Sequence, residues 1–180
     1  MLRPATDSDL PAMRGWRNQE ANRAVSLTQH EITAEEHDSW WGRVSADPTR
    51  RVLIFEYAGR PLGVVSFFDI GLSGASWGFY LDYERTTADG TAMLAWTLLM
   101  REAIEHAFAP APGGLGVEVL EGEVLAENEA VRAMNRRLRF TEGTPQVRTV
   151  GGILREVIPI RLRRSDHRAG RRGGERKEQS

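Results

Sequence analysis

The 180-residue sequence predicts a mixed sheet flanked by helices, of the α/β or α+β class, and three observations carry that reading. Helix-type and strand-type apolar patterns alternate along the chain, with no repeat and no internal linker. Three strand-like runs, at 51–57, 62–70 and 75–82, are divided by the turn signals Ala58-Gly59-Arg60 and Gly71 to Gly74. A long helical stretch at 91–108 follows, apolar on nearly every side in its first half, and is expected to lie buried against the sheet.

Taken in order, a first helix is expected from a cap at Asp7 or Ser8 through Asn18, with Leu10, Met13 and Trp16 around its early turns. A polar stretch at 20–30 follows. Thr33-Ala34-Glu35-Glu36 has the capping-box pattern and opens a second helix carrying Trp40, Trp41 and Val44, which Asp47-Pro48 stops. After the three strands, the long helix ends at Pro110, Pro112 and Gly113-Gly114. Residues 115–125 read as a fourth strand, 128–138 as a helix, and 140–162 as two strands turning at Gly151-Gly152.

Charge is unevenly spread. Residues 161–180 hold eight basic and three acidic side chains, a net +5 that leaves −6 for the rest of a chain whose formal total is −1. Apolar residues nearly vanish after Leu162, so the expected organisation is one domain over 1–162 and a basic disordered tail over 163–180. An acidic body argues against nucleic-acid binding, which needs a basic face. The chain has no cysteine, and His30, His37, His106 and His167 lack ligand spacing, so no metal site is expected. No run approaches the roughly 20 apolar residues of a membrane span. The N-terminus also lacks a secretory apolar stretch, and a cytoplasmic location is expected.

The loop Arg85-Thr86-Thr87-Ala88-Asp89-Gly90 joins the third strand to the helix opening at Thr91. Its small residues let backbone N–H groups converge beside the positive end of a helix dipole, which suits a pyrophosphate. A plain strand-to-helix turn with a threonine cap is the alternative. Gly74-Ala75-Ser76-Trp77-Gly78 formally matches the Gly-x-Ser-x-Gly nucleophile elbow. The residues after Ser76 continue a strand, and the later histidines sit in the long helix and the tail, so no hydrolase triad is expected.

The order of elements, the loop from Arg85 to Gly90, and the segment from Leu125-Ala126-Glu127-Asn128 to Leu138-Arg139-Phe140 resemble the GCN5-related N-acetyltransferases over residues 2–162. That family's pyrophosphate loop reads Arg/Gln-x-x-Gly-x-Gly/Ala, and this chain has Arg85-x-x-Ala88-x-Gly90. The resemblance implies a mostly antiparallel sheet of six to seven strands, splayed at its centre, with about four flanking helices. It implies acetyl-CoA as co-substrate and no metal. Coenzyme contacts would come from Phe79, Tyr80 and Leu81, from Arg85, Thr86, Thr87, Ala88, Asp89, Gly90 and Thr91, and from Asn128. The segments Trp16-Arg17-Asn18, 32–37, 63–70 and 75–81 resemble one branch more closely, the acetyltransferases of pseudaminic acid synthesis. These act on the 4-amino group of a UDP-linked 4-amino-4,6-dideoxy sugar.

Departures from the family pattern bear on the chemistry. Ala88 and Arg139 stand where the family has glycine. Many members place a glutamate base on the strand before the loop and a tyrosine acid on the Asn-led helix. Ser76 and Asn135 occupy those positions and are the catalytic candidates. A serine hydroxyl is too weak a base alone, but it can hold a water that carries a proton away. Asn135 can donate a hydrogen bond to a departing thiolate but cannot protonate it. The implied mechanism is direct transfer, with a strand N–H polarising the thioester carbonyl. A modestly basic amine, as on an amino sugar, suits such a site better than lysine.

Arg17, Asn18, His30, His37 and Trp40 are the acceptor-side candidates. A nucleotide-sugar offers a base to stack, hydroxyls to bind and a diphosphate to neutralise. Each candidate has a structural alternative: core packing for Trp40 and Trp41, a surface or capping role for His37, carboxylate pairing for Arg17. Two other functions stay open, a ribosomal-protein-type N-terminal acetyltransferase and a non-catalytic acyl-CoA-binding module. Monomer and homodimer both fit the sequence.

Overall fold

The computed structural model describes residues 1–167. Eight strands form one sheet: β1 (Leu2–Pro4), β2 (Arg51–Tyr57), β3 (Arg60–Phe68), β4 (Gly74–Leu81), β5 (Val119–Leu125), β6 (Thr141–Glu142), β7 (Gln146–Val150) and β8 (Ile153–Arg163). Their order is β1-β2-β3-β4-β5-β8-β6, with β7 on β8. Every pairing is antiparallel except β4 with β5. That parallel pair is short. Only Gly74, Ala75 and Ser76 register with Val119, Leu120 and Glu121, so β4 from Trp77 to Leu81 has no strand on its β5 side. Beyond Ser76 each strand follows its own antiparallel partner, β4 on β3 and β5 on β8, and the two diverge. Trp77 lies against Gly122 and stacks on Phe140 at 5.8 Å, filling the fork from one face.

Side-chain alternation sorts the core into two layers. On one face Val52, Ile54 and Val64 pack with Met13, Trp16 and Val44, which belong to α1 (Leu10–Asn18) and α3 (Ala34–Val44). On the other, Leu53, Phe55, Val65 and Trp77 pack with Leu99 and Ile104 of α5 (Ala92–Phe108) and Met134 of α6 (Glu129–Arg137). The short helices α2 (Glu20–Ala24) and α4 (Tyr83–Ala88) follow α1 and β4, and residues 164–167, part of the expected disordered tail, are helical. Burial of large side chains such as Phe55, Ile54 and Leu99, each contributing roughly 1.5–3 kcal/mol, holds these layers together.

The class, the splayed centre, the strand at 51–57, the α3 capping box and the Gly151-Gly152 turn agree with the sequence reading. Several details are corrected. The first helix is opened by Thr6, whose N–H donates to Asp9 at 2.8 Å, through a 3-10 turn at Asp7–Asp9, rather than by Asp7 or Ser8. The polar stretch at 20–30 contains α2. Strand β1 was hidden because three residues ending in proline show no alternation. The fourth strand starts at Val119, and 140–162 makes three strands, giving eight in place of six or seven.

The largest correction concerns 85–90, which is mostly helix: α4 runs to Ala88. The start of α5 is also less buried than its apolar face implied. Met93 is 61% and Leu94 47% exposed, and Met93 lines the cleft at the fork. Of the expected tail at 163–180, Arg163 closes β8 and Arg164 pairs with Glu118 at 3.0 Å and donates to the Val117 carbonyl. Residues 168–180 lie outside the described residues. Among the described residues, no helix is long and apolar enough to cross a membrane, and no group of three or more metal-ligating side chains occurs.

Candidate active site

The fork between β4 and β5 opens into a cleft of about 1,940 Å³ that is lined from both helical layers. Register partners share a face of the sheet. Phe68, Ser76 and Glu121 therefore point towards the α1–α3 side, with Ser66 and Gly78 in the next row. Trp77, Phe79 and Leu81 point to the α5–α6 side and pack with its core. Ser76 stands in mid-strand, so the backbone lacks the sharp turn of a nucleophile elbow.

On the α1–α3 side, the α3 capping box sets the geometry. The Glu36 N–H donates to Thr33 Oγ1 at 3.2 Å, and the Thr33 N–H donates to Glu36 Oε2 at 2.8 Å. His37 follows at once. It is 4% exposed, lines the cleft, and neither ring nitrogen has a hydrogen-bond partner. Burial pushes its pKa below the usual histidine value, opposed by Asp38 and reinforced by Arg14, so the ring is neutral at pH 7. His37 is therefore neither a surface residue nor a cap. Trp40, one turn on, lies 5.2 Å from the His37 ring and lines the cleft while packing on the core. Trp41 turns away and donates to Asp7 at 2.7 Å.

Arg17 reaches the same cleft from α1. Its Nη2 donates to the Thr28 carbonyl at 2.8 Å, Nη1 is buried without a partner, and burial lowers its pKa. The expected carboxylate pairing is not what holds it. Asn18 is not brought to the cleft: its amide donates to the Ile32 carbonyl at 2.9 Å and accepts the Ile32 N–H at 2.8 Å, clasping the loop before α3. His30 is exposed at the cleft rim, 3.2 Å from Glu36.

On the opposite side, the helical form of α4 consumes the donors expected to converge on a ligand. The N–H groups of Tyr83 and Glu84 donate to Gln19 Oε1, and that of Arg85 to Asp82. Those of Thr86, Asp89, Gly90 and Thr91 donate to backbone carbonyls. Thr86 is fully buried, Thr87, Ala88 and Asp89 are exposed, and Arg85 sits 3.6 Å from Asp89. The free donors lie one step later. Thr91 makes no side-chain cap, which leaves the first turn of α5 open at Ala92 and Met93 on the cleft.

Asn128 accepts the Val131 N–H at 3.3 Å, capping α6, and lines the cleft. Asn135 of α6 is 1% exposed with both amide atoms unpartnered. Burial raises the Tyr80 hydroxyl well above the usual tyrosine range, against the pull of Arg17. Three cleft residues escaped the sequence reading: Glu121, Trp96, whose buried Nε1 has no partner, and Asn22. Strand alternation over 119–125 could have put Glu121 on the cleft face. Nothing local marks the other two.

A family model described as an acetyltransferase (GNAT) domain matches residues 1–141. The spermidine N-acetyltransferase of Vibrio cholerae, solved in complex with CoA and spermine, superposes with a TM-score of 0.78 at 17% identity, over 93% of this chain and 96% of that one. The N-acetyltransferase PseH of Campylobacter jejuni gives a TM-score of 0.64 at 16% identity, over 91% of this chain and 97% of its own. No curated protein sequence matches. At these identities the likeness to solved structures is one of fold.

Proposed function

This chain belongs to the GNAT acetyltransferase family and is an acyltransferase, and from that premise we propose that it acetylates the primary amine of a nucleotide-linked amino sugar by direct transfer from acetyl-CoA. The observation that carries the acceptor class is Arg17. A half-buried guanidinium whose Nη1 is buried and unpartnered, with no carboxylate paired to it among the described residues, favours an anionic ligand group. The same feature disfavours a polyamine such as the spermine bound by the Vibrio neighbour. Neutral His37 offers hydroxyls a donor and an acceptor, and Trp40 offers a base or sugar ring a flat face.

The residues present fit acetyl-CoA. The open first turn of α5 suits the pyrophosphate, with Arg85 to Thr91 flanking it, and the unpaired edge of β4 from Trp77 to Leu81 suits the pantetheine amides. Two buried orphan groups, the Asn135 amide and Trp96 Nε1, line the same cleft and lack partners that a ligand would supply. When bound, the coenzyme supplies the activated acetyl group as a thioester. The chain's part is to hold an amine on the Ser76 side of the fork against it, to offer an N–H on β4 to the carbonyl oxygen, and to stabilise the leaving sulfur from Asn135. Ser76 holds a water that receives the amine's proton.

The test is a thiol-release assay with acetyl-CoA against UDP-amino sugars, free amino sugars, polyamines and N-terminal peptides. Release with the UDP-linked sugars alone supports the reading. Preference for spermidine or for peptides overturns the acceptor class, and coenzyme binding without release on any amine would leave a binding module.

A further inference from the structure

The proposed mechanism leaves the proton at a water on Ser76, and a hydroxyl is not its final acceptor. We infer that Glu121 is that acceptor, an inference that rests on the acetyltransferase reading but not on the identity of the amine. Ser76 and Glu121 form the last register pair before β4 and β5 part, so both stand at the apex of the fork and on the same face. Both line the cleft. The row continues in both directions: Phe68 lies beside Ser76 on β3, while Arg161 on β8 and then Thr141 on β6 follow Glu121.

Arg161 holds the carboxylate. Its Nε donates to Glu121 Oε1 at 2.7 Å, and the Glu121 side chain is 46% exposed within the cleft, so water reaches it. The pair fixes where the carboxylate stands without burying it. The other charged groups on this face are Arg155 and Arg163 on β8, Glu123 on β5, which pairs with Arg148 of β7, and Asp69 just past β3, and across the cleft stand Arg17 of α1 and Glu36, His37 and Arg43 of α3. Glu121 and Glu123 are both ion-paired, and what sets Glu121 apart is that it shares a register position with Ser76.

A carboxylate can take up this proton because the step does not deprotonate a free ammonium. The bound ammonium first loses one proton to solvent; the free amine nitrogen then forms the C–N bond to the acetyl carbon and becomes positively charged, which makes its remaining N–H far more acidic than that of a free ammonium. The proton passes through the water on Ser76 to Glu121. The C–S bond breaks with its electron pair leaving on sulfur, and the thiolate is protonated from solvent. Glu121 then returns its proton to solvent, so no other reactant is needed.

The experiment compares Glu121→Gln, Glu121→Asp, Ser76→Ala and the Glu121→Gln/Ser76→Ala double variant with the wild type, using whichever amine the wild type acetylates. Glu121→Gln is expected to lower kcat about 100-fold. It should also remove the lower limb of the kcat–pH profile, leaving a rate that climbs with hydroxide, while coenzyme affinity stays unchanged. Glu121→Asp should restore part of the rate and the limb. The double variant should lose little more than Glu121→Gln alone, because the two groups act on one proton. Calorimetry of the amine on coenzyme-free protein gives a readout apart from turnover: Glu121→Gln should weaken binding of the protonated amine about 5-fold. Wild-type kcat and pH profile in Glu121→Gln, or additive losses in the double variant, would overturn the inference. Activity on an amine other than a nucleotide-sugar would overturn the acceptor class alone, and a wild type that acetylates nothing would overturn both.

Discussion

Asn22 and Leu81 are joined by a 2.7 Å hydrogen bond from the Asn22 amide to the Leu81 carbonyl, and the same nitrogen donates to the Trp16 carbonyl at 2.8 Å. One buried side chain thus ties the end of α1 to the end of β4, the two elements that bound the cleft on the Arg17 side. Asn22→Ala leaves two carbonyls short of a donor and is expected to cost about 2–3 kcal/mol. Chemical denaturation measures that loss. Steady-state kinetics should show the acceptor KM rising more than the coenzyme affinity changes.

The α3 capping box predicts a smaller effect of the same kind. Thr33→Ala removes the oxygen that accepts the Glu36 N–H and should cost about 1 kcal/mol. His37 and Trp40 sit within the next two turns, so acceptor binding should weaken with it. Thr33→Ser should restore both.

Much of this framework was legible before any coordinates. The β2–β3–β4 meander announced itself because its strands are apolar runs bounded by glycine turns, and the α3 start because a capping box is a local pattern. The helical form of 85–90 was not legible. The Arg85 N–H is taken by Asp82, and those of Tyr83 and Glu84 just before it by Gln19 at the end of α1, a partner that only the fold brings near. Asn18 looked like a binding residue for a similar reason, since its partner Ile32 lies beyond an intervening helix. Ser76 was singled out by family pattern. Strand alternation could have given the face of Glu121, but not its place beside Ser76, because the register of two strands far apart in the chain is a tertiary fact.

Acidification should destabilise the protein in two stages. Burial depresses the pKa of His37 and of His106, so below pH about 6.5 the unfolded chain binds more protons than the folded one. Stability is full above that pH and falls as pH drops through the folded values. His37→Gln should flatten the fall when denaturation is measured between pH 7.5 and 5.5. At lower pH, Asp9 is held at about 2 by its hydrogen bonds from Arg3, against an ordinary 3.8. It contributes about 2 kcal/mol above that range, lost as pH falls towards 2.

The open start of α5 makes coenzyme binding separable from stability. Ala92→Glu places a negative charge in the first turn, where the helix dipole favours it, so the melting temperature should hold or rise slightly. The same charge should repel a pyrophosphate and weaken acetyl-CoA binding at least about 10-fold, read by calorimetry. Unchanged affinity would move the pyrophosphate away from this turn.

In the proposed reaction acetyl transfer occurs across the fork between β4 and β5, with coenzyme on the α5–α6 side and amine on the α1–α3 side. The most direct measurement is a crystal structure of the protein with CoA and a UDP-linked amino sugar. The sulfur is expected beside Asn135 and the amine on the Ser76 face, within about 3–3.5 Å of the acetyl carbon's position, with the diphosphate against Arg17. A coenzyme bound outside the fork, or an amine held away from Ser76 and Glu121, would contradict it.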